Sequence, residues 1–352
     1  MAGLSTHGGS GRRVDERANC SVYARAARRR TELASAIVRV AAPLMAYFLV
    51  AAVPSLHAAI SNTGAMQDRT LTFVTYNLFH GGPSSGLLGN AHDLDQRLDI
   101  VAEELGNLGA DVVALQEASA GFRRGSVAER LATRLGFHHV YAPANPRIFG
   151  SDVASHMVAG LLNFSEGPAI VSRFPIVTSH GYELPRCGKL FERRMLLSAT
   201  VESPWGHVRV FSAHTLGDVC QTQVVAKIVR LARNRLPEML MGDFNASEES
   251  PAIAALARQP GFLDAFRTAN PTQPGFSVWQ QMNVTTPTVR RRVDYLFLVA
   301  GTEVPGSVLS SRLVLNAPRL LGDRKPLWPS DHYGVLAEVD IAPPTNPAPS
   351  SK

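Results

Sequence analysis

Several apolar runs in this chain of 352 residues stop at a side chain able to do chemistry. Leu240-Met241 reads as a strand that breaks at Gly242 and then presents Asp243 and Asn245 around Phe244. Two residues apart on an extended chain, a carboxylate and a carboxamide point the same way. Near the other end, Ser330-Asp331-His332 sets a carboxylate beside an imidazole just before another apolar run. Asn77, Glu117, His214 and Asp294 each follow or interrupt a run of the same kind. A chain like this must bring several strand ends to one place.

The pattern of elements limits how. Leu71 to Leu78 alternates around β-branched and aromatic residues and reads as a strand. In 93–108, Leu94, Leu98, Val101, Leu105 and Leu108 share one helical face, and Gly109 suits the C-terminal cap. Val112 to Leu115 and Ala169 to Ser172 read as buried strands. Leu196 to Val201 and His207 to Ala213 read as a pair joined by Pro204-Trp205-Gly206. Thr222 to Asn234 is helical, and Glu238 to Met241, Val293 to Val299 and Tyr333 to Ile341 are strands. Strands joined by helices in places and by hairpins in others predict mixed sheets. Strands apolar through most of their length predict two sheets packed face to face with helices outside.

The net charge of +6 is not evidence for nucleic acid. Residues 1–65 hold eight Arg and three acidic residues, a net of +5, while the remainder holds 27 basic and 26 acidic. Residues 1–39 are polar and Arg-rich, and Val40 to Val53 is uncharged and apolar. That order predicts a secretory signal or a membrane anchor; a buried core helix is the alternative. Pro43 and Pro54 and the short apolar core favour a cleaved signal, with small residues at Ala58, Ala59 and Ala65. Arg12-Arg13 and Arg29-Arg30 lack the apolar residues that follow a twin-arginine signal. The expected location is therefore exported (periplasmic or extracellular) or membrane-anchored, with membrane association through residues 40–60. The expected organisation is an extension over 1–65, a domain over 66–341 and a disordered Pro- and Ser-rich tail over 342–352. Cys187 and Cys220 remain in the body as a disulfide or as two buried thiols.

Asp, Asn and His at strand ends suit hydrolysis of a phosphate ester: a cation neutralises the phosphate, a carboxylate orients water and donors hold the transition state. The segments Thr75-Tyr76-Asn77-Leu78, Leu115-Gln116-Glu117, Gly167 to Ile176 (GPAIVSRFPI), Ser212-Ala213-His214-Thr215, Gly242-Asp243-Phe244-Asn245, Arg292-Val293-Asp294-Tyr295 and Ser330-Asp331-His332 stand in one order over about residues 70–341. In that order the chain resembles the endonuclease/exonuclease/phosphatase superfamily, the fold of pancreatic DNase, abasic-site endonucleases, neutral sphingomyelinases and inositol-polyphosphate phosphatases. The resemblance implies a four-layer α/β sandwich of two mixed sheets with the site at one end of both.

It also implies roles. Glu117 holds Mg²⁺, with Mn²⁺ as the alternative, and Asn77 adds a neutral oxygen or orients water. Asp331 touches the metal directly or through water. His332 bonds the scissile phosphate or transfers a proton, with Asp294 on its other nitrogen. Asp243 aligns the attacking water, and Asn245 and His214 donate to phosphate oxygens. Arg193 or Arg194 contacts substrate phosphate, or sits on a solvated strand edge. The segment after His214, Leu216 to Cys220, departs from the family in lacking an Arg before Gln223, as does Gly81-Gly82-Pro83 after the first strand. The loop Ala142 to Gly167, with His156, Met157, Leu161, Leu162 and Phe164, is particular to this chain and shapes the pocket or contacts lipid. The expected reaction is Mg²⁺-dependent phosphodiester hydrolysis, endonuclease-like or sphingomyelinase-like. A sugar- or inositol-phosphate phosphatase is the alternative, and a non-catalytic binding module a distant third. The substrate is nucleic acid, phospholipid or a small phosphoester, and no obligate protein partner is evident.

Overall fold

Alternation along the strands sorts their side chains into three separate cores. The computed structural model describes residues 69–80, 93–145, 151–188, 193–322 and 325–341, all within one unit, Ala65–Lys352. The first sheet contains β1 (Thr70–Asn77), β2 (Val112–Gly121), β3 (Gly125–Ser126), β4 (His138–Tyr141), β5 (Ser165–Ser172), β12 (Ser307–Val314) and β15 (Gly334–Asp340). Its order is β12-β15-β1-β2-β5-β4, with β3 paired to the end of β2. The second contains β6 (Ile176–Glu183), β7 (Met195–Ser203), β8 (Gly206–His214), β9 (Glu238–Asp243), β10 (Phe262–Asp264) and β11 (Asp294–Val299), ordered β10-β11-β9-β8-β7-β6. Parallel pairs β1–β2 and β8–β9 sit among antiparallel neighbours, so both sheets are mixed. A small ribbon joins β13 (Arg319–Leu320) to β14 (Pro326–Leu327).

Inward side chains of both sheets, including Phe73, Val112 and Ala337 from one and Leu197, Val210 and Met241 from the other, form the central core. Their neighbours Val74, Val113 and Leu336 face outward onto helices α1 (Leu94–Asn107) and α2 (Val127–Leu135). On the far side, Leu196, Phe211 and Leu240 pack against α4 (Val219–Ala232) and α5 (Pro251–Ala257). The result is the expected four-layer sandwich. Each fully buried large apolar side chain contributes roughly 1.5–3 kcal/mol. Two shorter helices complete the fold, α3 (Asp152–Leu161) and α6 (Ala265–Ala269).

The segment Ala142 to Gly167, expected to be a loop, contains α3, capped at its start by the Ser151 side chain accepting from the Ala154 N–H. Cys187 and Cys220 are joined in a disulfide, tying the segment after β6 to the first turn of α4. Closing a loop of 33 residues stabilises by about 3–4 kcal/mol in the chain-entropy account. The expectations for residues 1–65 and for the tail 342–352 lie outside the described residues. Among the described residues, no helix is long and apolar enough to cross a membrane.

Glu238, at the start of β9, is the least comfortable group in the core. It is fully buried, and among the described residues only the Asn234 backbone N–H approaches its carboxylate, without well-formed hydrogen-bond geometry. Burial pushes its carboxyl up to about 7 from the usual 4.5, against the opposing pull of Arg209. A raised acid stabilises the fold below its unfolded pKa, and that stability is lost as pH rises through the folded value. Wild type should therefore lose on the order of 2–3 kcal/mol between pH ~4.5 and ~7 from this group. Glu238→Gln should flatten that slope in urea unfolding followed across pH; an unchanged slope would assign it to other groups.

Candidate active site

Strand register gathers the second-sheet half of the site. His214 on β8 and Asp294 on β11 both lie level with Asp243 on β9, so three adjacent strands deliver three polar side chains at one height. Gly242 makes the approach possible, because a Cβ there would lie 2.2 Å from the Ala213 carbonyl oxygen. That close contact explains why the strand changes from Met241 to glycine immediately before the carboxylate. Beyond the strand, Asn245 takes a left-handed backbone (φ 51°), and its N–H donates to Asp243 Oδ1 at 2.8 Å. Its side-chain amide donates to the Thr215 carbonyl at 3.0 Å.

The first sheet supplies the other half. Asn77 ends β1, level with Gln116 on β2. The β2–β5 pairing is irregular between Leu115 and Ala118, and Glu117 within that gap has φ 53°. A bulge of this kind re-aims a side chain. Asn77 Nδ2 donates to Glu117 Oε1 at 3.2 Å and to Asp243 Oδ2 at 3.0 Å, linking the two sheets. Its Oδ1 accepts the Phe79 N–H at 3.0 Å. In this arrangement Asn77 thus faces the carboxylates with its nitrogen rather than with the oxygen expected of a ligand.

His332 follows β14 and is fixed from both sides. Its Nδ1 lies 3.0 Å from Asp294 Oδ2, and its Nε2 lies 3.9 Å from Asp243 Oδ2. Burial alone would lower the imidazole pKa; Asp294, then Asp243 and Asp331, push it up to about 10. Burial raises the Asp294 carboxyl, and the charge on His332 draws it back down. Asp331 is pushed up to about 6, chiefly by burial, with the His332 charge opposing and the Glu117 charge adding to the rise.

His214 is 4% exposed, and its Nε2 is 3.6 Å from Asp243 Oδ2. Arg194 Nη1 lies 2.9 Å from His214 Nδ1 and 3.3 Å from Glu166 Oε1. Of the two candidate arginines, Arg194 is therefore against the site histidine, while Arg193 pairs with Glu183 at 3.1 Å and donates to the Asn145 carbonyl.

Three further residues belong to the same constellation. Glu166, on β5, bridges His214 Nδ1 and His80 Nε2, each at 3.3 Å. Burial opposes its ionisation, but those two histidines hold its carboxyl well below the usual range. His80 Nε2 also lies 3.3 Å from Glu117 Oε2, whose oxygen accepts the His80 N–H. Arg97, buried on α1, donates to the carbonyls of Leu78, Phe79 and Pro329 and so clamps the end of β1 to the segment carrying Asp331 and His332. The sequence signal for Glu166 is a lone acid at the head of an apolar run. For Arg97 it is a charge on the apolar face of a helix.

The site is rich in carboxylate oxygens drawn together from two sheets, a donor set that suits a hard divalent cation. The ligand atoms of Asp243, Asp294 and His332 all lie within 4.8 Å of one another. Glu117 lies at the edge of this group, linked to Asp243 through the Asn77 amide.

Residues 74–332 match the model of the Endonuclease/Exonuclease/phosphatase family. No curated protein sequence matches the chain. Among solved structures, the chain is similar to an endonuclease/exonuclease/phosphatase from Beutenbergia cavernae DSM 12333, with 23% identity, TM-score 0.57, and 78% of this chain and 72% of that one covered. It is also similar to a mannosyl-6-phosphatase of Bacteroides thetaiotaomicron VPI-5482, at 19% identity and TM-score 0.58 over 76% of this chain and 99% of that one. The D. rerio TDP2 complexed with a single-strand DNA product gives 19% identity and TM-score 0.55 over 77% of this chain and 99% of that one. With the ordered strand-end residues and the two-sheet sandwich in place, the chain belongs to the Endonuclease/Exonuclease/phosphatase family of phosphoester hydrolases.

Proposed function

We propose that this chain is a Mg²⁺-dependent phosphodiesterase that acts outside the cytoplasm or from a membrane anchor. The carrying observation is the link across the sheets: Asn77 joins Glu117 to Asp243, and Asp243 lies within 3.9 Å of His332, itself held by Asp294. Glu117, Asp243 and Asp331 would hold the cation, and Mn²⁺ fits the same oxygens. When bound, the cation supplies charge neutralisation at the phosphate and makes water a better nucleophile. Asp243 orients the attacking water. His332, kept protonated by Asp294, donates to a phosphoryl oxygen and stabilises the charge that develops there. His214, with Glu166 on its Nδ1 side, and the second amide proton of Asn245 serve as further donors. Arg194 is the better placed of the two arginines for substrate phosphate. The disulfide supports the exported reading, because such bonds persist in oxidising compartments. The domain would span 66–341, after a signal or anchor over 1–65.

Endonuclease-like and sphingomyelinase-like substrates both suit the site. The near-neutral charge of residues 66–352 gives no general pull toward nucleic acid. A sugar-phosphate monoester is the second reading, supported by the fold shared with the mannosyl-6-phosphatase. The test is the full chain with Mg²⁺ against plasmid DNA, sphingomyelin and a phosphomonoester panel, each repeated with EDTA. Cleavage of a diester, abolished by EDTA, is the expected result. Cleavage of monoesters alone would move the assignment to a phosphatase.

A further inference from the structure

Helix α3 is inside out. Val153, Met157 and Leu161 fall four residues apart on one stripe, and they are 71%, 61% and 74% exposed. The small residues Ser155 and Ala159 face the protein instead. A helix packed on a globular core normally shows the opposite arrangement.

The stripe does not end with the helix. Phe122, at the turn between β2 and β3, is 75% exposed. Its ring lies over Gly160 so closely that a Cβ there would sit 2.2 Å from it. The turn is fixed to the helix end, since the Arg123 and Arg124 N–H groups donate to Asn163 Oδ1 at 2.7 and 3.1 Å. One rigid apolar face therefore spans two elements; the exposed Arg123 follows Phe122, while the Arg124 guanidinium turns inward and donates to Ser119 Oγ at 2.8 Å. The only charged residue in the sequence of α3 is Asp152, in its first turn.

This face adjoins the site. The Arg124 guanidinium lies 5.9 Å from the centre of the Phe164 ring, and Phe164 meets His80 edge-on at 4.9 Å. His80 in turn contacts Glu117 and Glu166.

We propose that α3 and the β2–β3 turn form a docking surface for an anionic phospholipid bilayer, placing the site beside lipid headgroups. Two properties select a bilayer over a protein partner. Large exposed apolar side chains along one face of a helix, with the exposed Arg123 beside them, match the layering of acyl chain and anionic headgroup. The face also borders the site, so the surface it binds is the one that presents substrate. The substrate class that follows, a headgroup phosphoester, rests on the reading of the site as a phosphoester hydrolase. The docking itself does not.

The test uses the full chain and vesicles of equimolar phosphatidylcholine and phosphatidylglycerol. Met157→Glu with Leu161→Glu should weaken co-sedimentation about tenfold per residue replaced. Turnover of a soluble chromogenic phosphodiester should be unchanged, since neither residue belongs to the site. A local reporter separates this face from the N-terminal segment. Leu161→Trp should gain emission that brominated acyl chains quench, above the signal from Trp205, Trp279 and Trp328. A Leu161→Trp protein whose added emission is not quenched, or a double variant that sediments like wild type, overturns the proposal. Self-association without vesicles that the double variant abolishes would also overturn it, giving the face to a second copy. Vesicle binding without turnover of any phosphoester would leave docking standing and remove the hydrolase reading.

Discussion

His332→Ala should lower kcat/KM by ~10²–10⁴-fold while the protein stays folded, as expected for loss of a positioned acid–base or donor group. The ring is buried, held at 3.0 Å by Asp294 and facing Asp243 from its other nitrogen. Those carboxylates, with Asp331, keep it protonated through neutral pH. A protonated donor is lost as pH rises, so the wild-type profile should fall on the alkaline side. Asp294→Asn removes the largest influence raising the His332 pKa, so the alkaline limb should move to lower pH. A His332→Ala enzyme with wild-type kcat/KM would remove this residue from the chemistry. An alkaline limb unmoved by Asp294→Asn would assign it to another group.

Asp243→Asn should cost as much, ~10²–10⁴-fold in kcat/KM. Two donors bond this side chain, Asn77 Nδ2 at 3.0 Å and the Asn245 N–H at 2.8 Å, and His214 Nε2 lies 3.6 Å away. An amide offers one oxygen where the carboxylate offers two, so its NH₂ must face Asn77 or the Asn245 N–H. The loss is therefore local and electrostatic. Circular dichroism should be unchanged, and the unfolding midpoint should move little compared with the loss of rate. A variant with wild-type kcat would show that Asp243 is only the hinge between the sheets.

The residues that act at strand ends are legible because each interrupts an apolar run. Asp243, Asp294 and His214 can be read from sequence for that reason, and strand register then places them side by side. What the sequence does not convey is aim. Glu117 reaches the site through a bulge with a left-handed backbone, and nothing in Leu115-Gln116-Glu117 announces that turn. Asn77 reads as an oxygen ligand, but the direction of its amide depends on the Phe79 N–H, a contact fixed only by the fold. Glu166 and His80 escape because each is a single polar group without a spaced partner; their pairing is a contact across two strand ends. Helix α3 reads as a loop because it is only ten residues long, ends near Gly160 and places small Ser and Ala residues between its few large apolar ones. Strands β6 and β12 go unread because exposed Thr, Ser and His residues give them little apolar signal. The disulfide is open between two readings in sequence, since 33 residues separate its cysteines and only the fold brings them together.

The role of Glu117 in metal-dependent hydrolysis is tested most directly by hydrolysis of a chromogenic phosphodiester across a Mg²⁺ titration, comparing the full wild-type chain with Glu117→Gln. No turnover is expected in EDTA, with saturable activation by Mg²⁺ in wild type and a variant curve displaced at least about tenfold to higher Mg²⁺ with the fold retained. Turnover that persists in EDTA, or a variant whose Mg²⁺ curve overlays that of wild type, would contradict that role.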